Sequence, residues 1–413
     1  MKAEQTLRST GRREPDLSDL TETLPPGFPE GVLPDGELVN AIRRAWITAD
    51  DEIPEASIHP ASLDLRLGAT AHRLRSSFLP GSKTVHSRLG EHQIGPEIPL
   101  SGDGAVLERN RPYLIRLMER MNLPPRLSAR ANPKSSTGRL DIFTRVVVDN
   151  GTGFDEIPEN YSGPVYLEVV SRSFTVQVKE GLSLNQVRLV HGDKKVTNVE
   201  LQRKHARSPL LYSPGIGNQP ADVFKGVFLT VDLLGDADGR VGYRAKKNSA
   251  LLDLSREREY RAEDFWEPVE SIQGHRLILE PEEFYLLVSS ERVAVNEDLA
   301  AELAAYDPTS GELRTHYAGF FDPGFGYPPT DESAGSRAVL EVRAHDVPFA
   351  LEHGQRIARL EFETMAKPPT KLYGPGIGSS YQNQELWLSK HFQSQRAREP
   401  LPKPKDQMPL FPE

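Results

Sequence analysis

The chain has 413 residues and no cysteine, and 50 Lys and Arg against 59 Asp and Glu give it a net charge of −9. The missing thiols exclude disulfides, thiolate nucleophiles and Cys-ligated zinc, and an acidic balance without a long basic run argues against bulk adhesion to nucleic acid. No stretch approaches the roughly 18 apolar residues of a membrane span, and no apolar signal segment opens the chain, so a soluble, cytoplasmic, two-domain protein is expected.

Residues 1–30, with Pro25, Pro26 and Pro29 and no periodicity, predict a flexible arm. Between Pro34 and Ile47 the apolar positions Leu38, Ile42 and Trp46 recur every four residues, which predicts a short amphipathic helix capped by Asp35. Alternating runs follow at 62–67, 144–148, 164–170 and 174–178, punctuated by Gly, Pro and Asn. Such runs predict half-buried strands of an all-β barrel or jelly roll, here one domain over 31–215.

The Pro/Gly-rich stretch 213–226 is the expected boundary. In a second domain over 226–390, Ser249–Leu254 reads as a copy of an opening strand at Ala61–Leu65, and further strands are expected at 284–289, 338–342 and 356–362. A short helix is expected over Glu297–Tyr306, with Asn296 as its cap and Leu299 and Leu303 on one face. The Pro-rich tail 396–413 is expected to be flexible.

These two domains are copies. Leu167-Glu168-Val169 with Gly181 answers Leu340-Glu341-Val342 with Gly354, both Glu-to-Gly intervals being thirteen residues. In the same order, Pro112–Ile115 answers Phe284–Leu287, Ser136–Leu140 answers Thr309–Leu313, and Tyr212–Gly217 answers Tyr373–Gly378. Glu168 and Glu341 each interrupt an apolar strand opposite Leu167 and Leu340, so each is either a carboxylate in a pocket with a raised pKa or an exposed polar position. Recurrence in both copies favours the pocket.

Lys134, Ser135, Ser136 and Arg139 put an ammonium, two hydroxyls and a guanidinium within six residues. That segment is either a phosphate grip built on charge-assisted hydrogen bonds or a polar turn, and its spacing is not that of a Walker loop. Asp322 lies in a Gly/Pro-framed turn where it either caps the turn or faces a ligand. His316, His345 and His353 have no metal-ligand spacing.

Ile58–Gly68, Ser135–Leu140, Ala318–Phe325, Val339–Glu341, Gly354–Ile357 and Tyr381–Gln384 together resemble the dCTP deaminases of the dUTPase-like superfamily, in their long tandem bacterial form. The resemblance covers about Gly31 to Lys390. It implies two distorted β-barrel domains with a few short helices and a homo-oligomer built on trimers of barrels. It also implies zinc-free hydrolysis of dCTP to dUTP and ammonia, with Mg2+ carried by the triphosphate and the dUTP supplied to thymidylate synthesis.

In the family a strand Glu activates the water, the Ser/Arg loop holds the triphosphate, and the site lies between neighbouring barrels. Copy two has Asp307, Pro308, Thr309 and Glu312 where copy one has Lys134, Ser135, Ser136 and Arg139. The expected site is therefore composite, with Lys134, Ser135, Ser136 and Arg139 from copy one. Copy two would supply Ala318, Asp322, Val339, Leu340, Glu341, Tyr373, Tyr381 and Gln384, and Glu168 is the alternative base. Ser380 replaces a lysine of the family's tail. Other readings are a dUTPase or bifunctional enzyme giving dUMP, or a non-catalytic regulator binding dCTP or dTTP, with dTTP or dUTP as inhibitor or product. No nucleic-acid or membrane partner is implied.

Overall fold

The structure, a computed structural model, describes residues 23–212, 223, 225–305, 313–315, 319–328, 334–344 and 346–393. Alternating apolar residues build strands nearly throughout. In the first half the main sheet runs Ile142–Val148, Ser162–Ser171, Tyr113–Asn122, Leu63–Arg73, Ser183–His191, Leu127–Pro133, Glu156–Ile157. The second half divides the same arrangement between two sheets. One runs Trp266–Glu270, Arg240–Ala245, Phe284–Val293, Ser336–Ala344, Leu313–Thr315, and the other Val227–Thr230, Arg356–Thr364, Leu299–Ala305, Phe320–Phe321. The register repeats as well: Tyr113 pairs with Val169 as Tyr285 pairs with Val342, so Glu168 and Glu341 occupy matching positions. The fold is mainly β and barrel-like, as expected.

The halves are interleaved. Val176–Val178 of the first half pairs with Ala105–Leu107 on one side and, in parallel, with Leu252–Asp253 of the second half on the other. Behind this junction Phe174 meets Phe265 and Trp266 edge-on, with ring centroids 5.7 and 5.4 Å apart. Phe174, Phe265 and Trp266 are all buried in one hydrophobic core that draws on both halves. Each such side chain contributes roughly 1.5–3 kcal/mol on leaving water.

Several local expectations are corrected. Leu299–Ala305, expected as part of a helix, is a strand paired with Arg356–Thr364. Its backbone pairs residue by residue from Leu299 opposite Thr364 to Ala305 opposite Ala358, so the operative period is two rather than four. The strand beside Phe284–Val293 is Arg240–Ala245, not Ser249–Leu254, because Leu252–Asp253 joins the first half instead. The first helix spans Asp35–Arg43, but Asp35 does not cap it; its carboxylate accepts from the Thr370 backbone N–H at 2.7 Å and from the Thr370 hydroxyl. The expected N-terminal arm is already packed at Phe28, whose ring meets His191 edge-on. Residues 1–22, most of the 213–226 boundary and the 396–413 tail lie outside the described residues.

Candidate active site

A cleft of about 1070 Å³, counted with its open mouth, lies where the two halves meet. Its first-half wall is the segment after Leu127–Pro133, where one helical turn, Ser135–Gly138, reverses the chain. Thr137 N–H and Gly138 N–H both donate to the Lys134 carbonyl, and fully buried Leu140 anchors the turn, so Arg139 is thrown inward. The opposite wall is the strand Ser336–Ala344, on which Val339 and Glu341 face the cleft while Leu340 points into the core. The tail, including Tyr373, Ser380, Tyr381, Gln384 and Lys390, lines the rim.

Arg139 is the hub. Its Nη1 donates to the Trp387 carbonyl at 2.7 Å and its Nη2 to Gln384 Oε1 at 2.5 Å. Its guanidinium lies 3.8 Å from the centre of the Tyr381 ring, a cation–π contact. Burial works against its charge, while the groups of Tyr381, Glu341 and Tyr373 favour it. Arg139 Nε is buried without a hydrogen-bond partner among the described residues.

Across the cleft Glu341 is 7 % exposed and accepts no hydrogen bond among the described residues. Burial pushes its carboxyl up to about 8, with Arg139 opposing the rise and Asp141 adding to it. A carboxyl poised there can hold or release a proton near neutrality.

The remaining first-half groups are held from the strand Leu63–Arg73 and its approach. Lys134 Nζ pairs with Asp64, and His59 Nε2 lies 3.2 Å from the same carboxylate. Burial resists ionisation of Asp64, but Lys134 and His59 outweigh it and hold the carboxyl below its usual range. Beneath the Ser/Arg turn, Ser389 Oγ donates to the Ser136 carbonyl at 2.8 Å and lies 2.9 Å from His391 Nδ1. Burial, aided by Lys390, pushes His391 down to about 4, so its ring is neutral.

Asp322 accepts from Ser62 Oγ at 3.1 Å and from Arg188 Nη2 at 2.8 Å. Arg188 comes from the first half and is fully buried; it also donates to the Ala301 and Phe321 carbonyls and to Glu363. This arginine is what orients the Asp322 turn. Gly324 in that turn adopts φ +101°, and a Cβ there would lie 2.6 Å from the Tyr373 nitrogen, so only glycine admits the tail this closely. Arg188→Met is expected to destabilise the fold by about 3 kcal/mol, because Asp322 is left buried without its cation and Glu363 keeps only Lys194. Urea unfolding checks this, and an unchanged midpoint would refute the role.

The cleft thus gathers Lys134, Ser135, Ser136, Arg139, Asp322, Val339, Glu341, Tyr373, Tyr381 and Gln384. Ala318 lies outside the described residues, as do 307–309 and 312. Glu168 is not among the lining residues. Its Oε1 accepts from Arg145 Nη2 at 2.6 Å and Nε at 3.2 Å, and Arg145 stacks 3.7 Å from the Phe154 ring centre. The interval relating Glu168 to Glu341 sets Arg145 opposite Ala318 in the repeat. Ser62, Asp64, Gln186, Arg188, Ser389 and Lys390 are at or beside the cleft without having been expected there. The first two lie inside the quoted Ile58–Gly68 motif and were legible as a group, whereas the others carry no local pattern.

Fold and site together define a tandem β-barrel protein with a cleft between its halves that sets Lys134 and Arg139 against the carboxyl of Glu341. Residues 29–193 match the family described as 2'-deoxycytidine 5'-triphosphate deaminase (DCD) N-terminal domain, and residues 197–392 match the C-terminal domain of the same family. The chain belongs to the dCTP deaminase family. It is similar to the crystal structure of 2'-deoxycytidine 5'-triphosphate deaminase from Agrobacterium tumefaciens, with 44% identity and a TM-score of 0.79, covering 84% of this chain and 99% of that one. Among curated proteins it is 35% identical over 116 residues to a "dCTP deaminase, dUMP-forming" of Halobacterium salinarum, 27% of this chain and 54% of that protein. A protein of the same description from Corynebacterium kroppenstedtii is 32% identical over 145 residues, 34% and 72% of the respective chains. The match thus spans only about half the length of the first of these curated relatives. Among the described residues, no helix is long and apolar enough to cross a membrane.

Proposed function

We propose that the chain hydrolyses dCTP to dUTP and ammonia at this composite cleft. The observation that carries the reading is Glu341, a buried carboxyl pushed up to about 8 and facing Arg139 across a cleft rimmed by phosphate-type donors. In its ionised form Glu341 takes a proton from water as the water oxygen bonds to C4 of cytosine. The C4–N3 double bond opens in that step and N3 takes up the proton; Glu341 then carries the remaining hydroxyl proton to the amino nitrogen, the bond from C4 to that nitrogen breaks, ammonia leaves and the C4 carbonyl forms. Arg139 keeps Glu341 within reach of ionisation and orders the tail. Its unpartnered Nε and the Ser135 and Ser136 hydroxyls are suited to holding the water and phosphate oxygens.

Magnesium fits as part of the nucleotide. The ammonium and hydroxyl groups of Lys134, Ser135 and Ser136 suit phosphate oxygens, and those oxygens would hold the ion and let it neutralise their charge. No zinc step is invoked, since the chain has no cysteine for the His/Cys/Cys or all-Cys zinc set of zinc deaminases.

A second reading, continued hydrolysis to dUMP, is favoured by the names of the Halobacterium and Corynebacterium relatives. Incubating the purified protein with dCTP and magnesium, then measuring ammonia and separating the nucleotides, tests both. Ammonia with dUTP supports the first reading, and ammonia with dUMP and pyrophosphate the second. dCTP bound without ammonia release would overturn both and leave a binding protein.

Lys134→Ala is expected to raise KM for dCTP by roughly tenfold to 100-fold, the worth of a charge-assisted contact. Its kcat should change much less. Steady-state kinetics check this, and an unchanged KM would remove Lys134 from the phosphate grip.

A further inference from the structure

Two buried charges near the cleft are not used by the mechanism above. Asp141 follows Arg139 by two residues on the turn, and Arg343 follows Glu341 by two on the facing strand. Strand alternation puts Arg343 on the same face as Glu341. Asp141 is 0 % and Arg343 4 % exposed, and Arg343 Nη2 pairs with Asp141 Oδ2. The pair is braced on both sides. Ser173 Oγ donates to the same Asp141 oxygen at 2.5 Å, Arg172 N–H donates to the Asp141 carbonyl at 3.0 Å, and Arg343 Nη1 donates to the Glu282 carbonyl.

We propose that Asp141 and Arg343 are positioning residues for the cleft, their ion pair clasping the turn that carries Arg139 to the strand that carries Glu341. The inference rests on the reading of Glu341 as the working base. Each partner lies two residues from a cleft residue and on a different half, so the clasp fixes the separation of Arg139 from Glu341 across the junction. A hydrophobic pair of similar size would pack as well, but would fix that separation less sharply and would remove two charges from beside a buried carboxyl.

The groups acting on Glu341 are Arg139, which favours its ionised form, and Asp141, which opposes it. Tyr373 and Tyr381 lie beside Arg139. Arg343 is the cation paired with Asp141. Removing one charge of the clasp should therefore move the Glu341 titration down in Asp141→Asn and up in Arg343→Gln, by about one pH unit each. The double variant Asp141→Asn/Arg343→Gln should return close to the starting value and also serves as the folding control. A purely structural pair would lower stability without these opposed shifts.

The experiment is a carbon NMR titration of protein labelled at the Glu side-chain carboxyl, without nucleotide, with Glu341→Gln identifying the resonance. Opposed shifts, with kcat for dCTP lowered about tenfold to 100-fold in each single variant and KM little changed, support the proposal. Shifts in one direction, no shift, or unchanged kcat would overturn it. If the unsubstituted protein releases no ammonia, the functional reading fails by itself, and the titration alone decides whether the clasp governs Glu341.

Discussion

Glu341→Gln is expected to reduce dCTP turnover at least about 10³-fold, within the range for removing a general base, while making the protein more stable at alkaline pH. Glutamine keeps the volume and a carbonyl acceptor but cannot take a proton from water. The stability gain follows from the raised titration. In the folded chain Glu341 ionises near 8, against an ordinary value near 4.5 once unfolded. The folded state therefore retains a proton that the unfolded state gives up. The stability associated with that proton is fully present below about 4.5 and is lost as pH rises toward 8. Glutamine does not titrate, so the difference between variant and parent should widen across this window and then level off. Thermal unfolding at pH 5 and pH 8.5, beside turnover assays, checks both halves. Near-normal turnover would move the base to Glu168, and a gap that does not widen with pH would contradict the buried carboxyl.

Arg139→Ala should have a comparable effect on turnover, for two separable reasons. It removes the cation that favours ionised Glu341, so the variant's Glu341 should titrate higher still. It also frees Gln384, the Trp387 carbonyl and the Tyr381 ring from their shared partner. A loss of about 10³-fold in kcat/KM is expected, together with faster amide exchange across 381–390. Arg139→Lys should rescue little, because an ammonium cannot serve the two acceptors and stack on Tyr381 as a planar guanidinium does. By contrast Glu168→Gln should leave turnover within a few-fold of the parent, since Glu168 is already occupied by Arg145. A large loss in Glu168→Gln with a mild one in Arg139→Ala would reverse the assignment of the two copies.

Much of this arrangement was legible because the chain repeats itself. Glu341 stands out when Glu168 is set beside it, and Arg139 stands out when its counterpart is Glu312. Strands with one wetter face, such as Ser162–Ser171, announced themselves by alternation, whereas Ser183–His191 is buried on both faces. Leu299 and Leu303 misled because a spacing of four satisfies both a helix turn and two strand repeats; pairing with the distant Arg356–Thr364 decided for the strand. Ser249–Leu254 misled because its apolar residues serve an edge of the other half, which no local pattern reveals. Least legible were Arg188 with Asp322 and Asp141 with Arg343. The second pair is 202 residues apart in the chain, and nothing in the spacing of single charges indicates a partner at that distance.

The parallel pairing of Leu252–Asp253 with Val176–Val178 has a consequence for how the molecule comes apart. Because the second half completes a sheet of the first and lends Phe265 and Trp266 to its core, the first half does not carry a self-sufficient interior. Severing the peptide bond anywhere from 213 to 222 would remove covalent continuity but not this shared hydrophobic surface, so the fragments would remain one particle and melt in one transition. Deleting either half would instead strip apolar surface from the survivor and leave it prone to aggregate. The duplication has thus become irreversible: two barrels that descend from one can no longer be returned to independent lives by a simple cut.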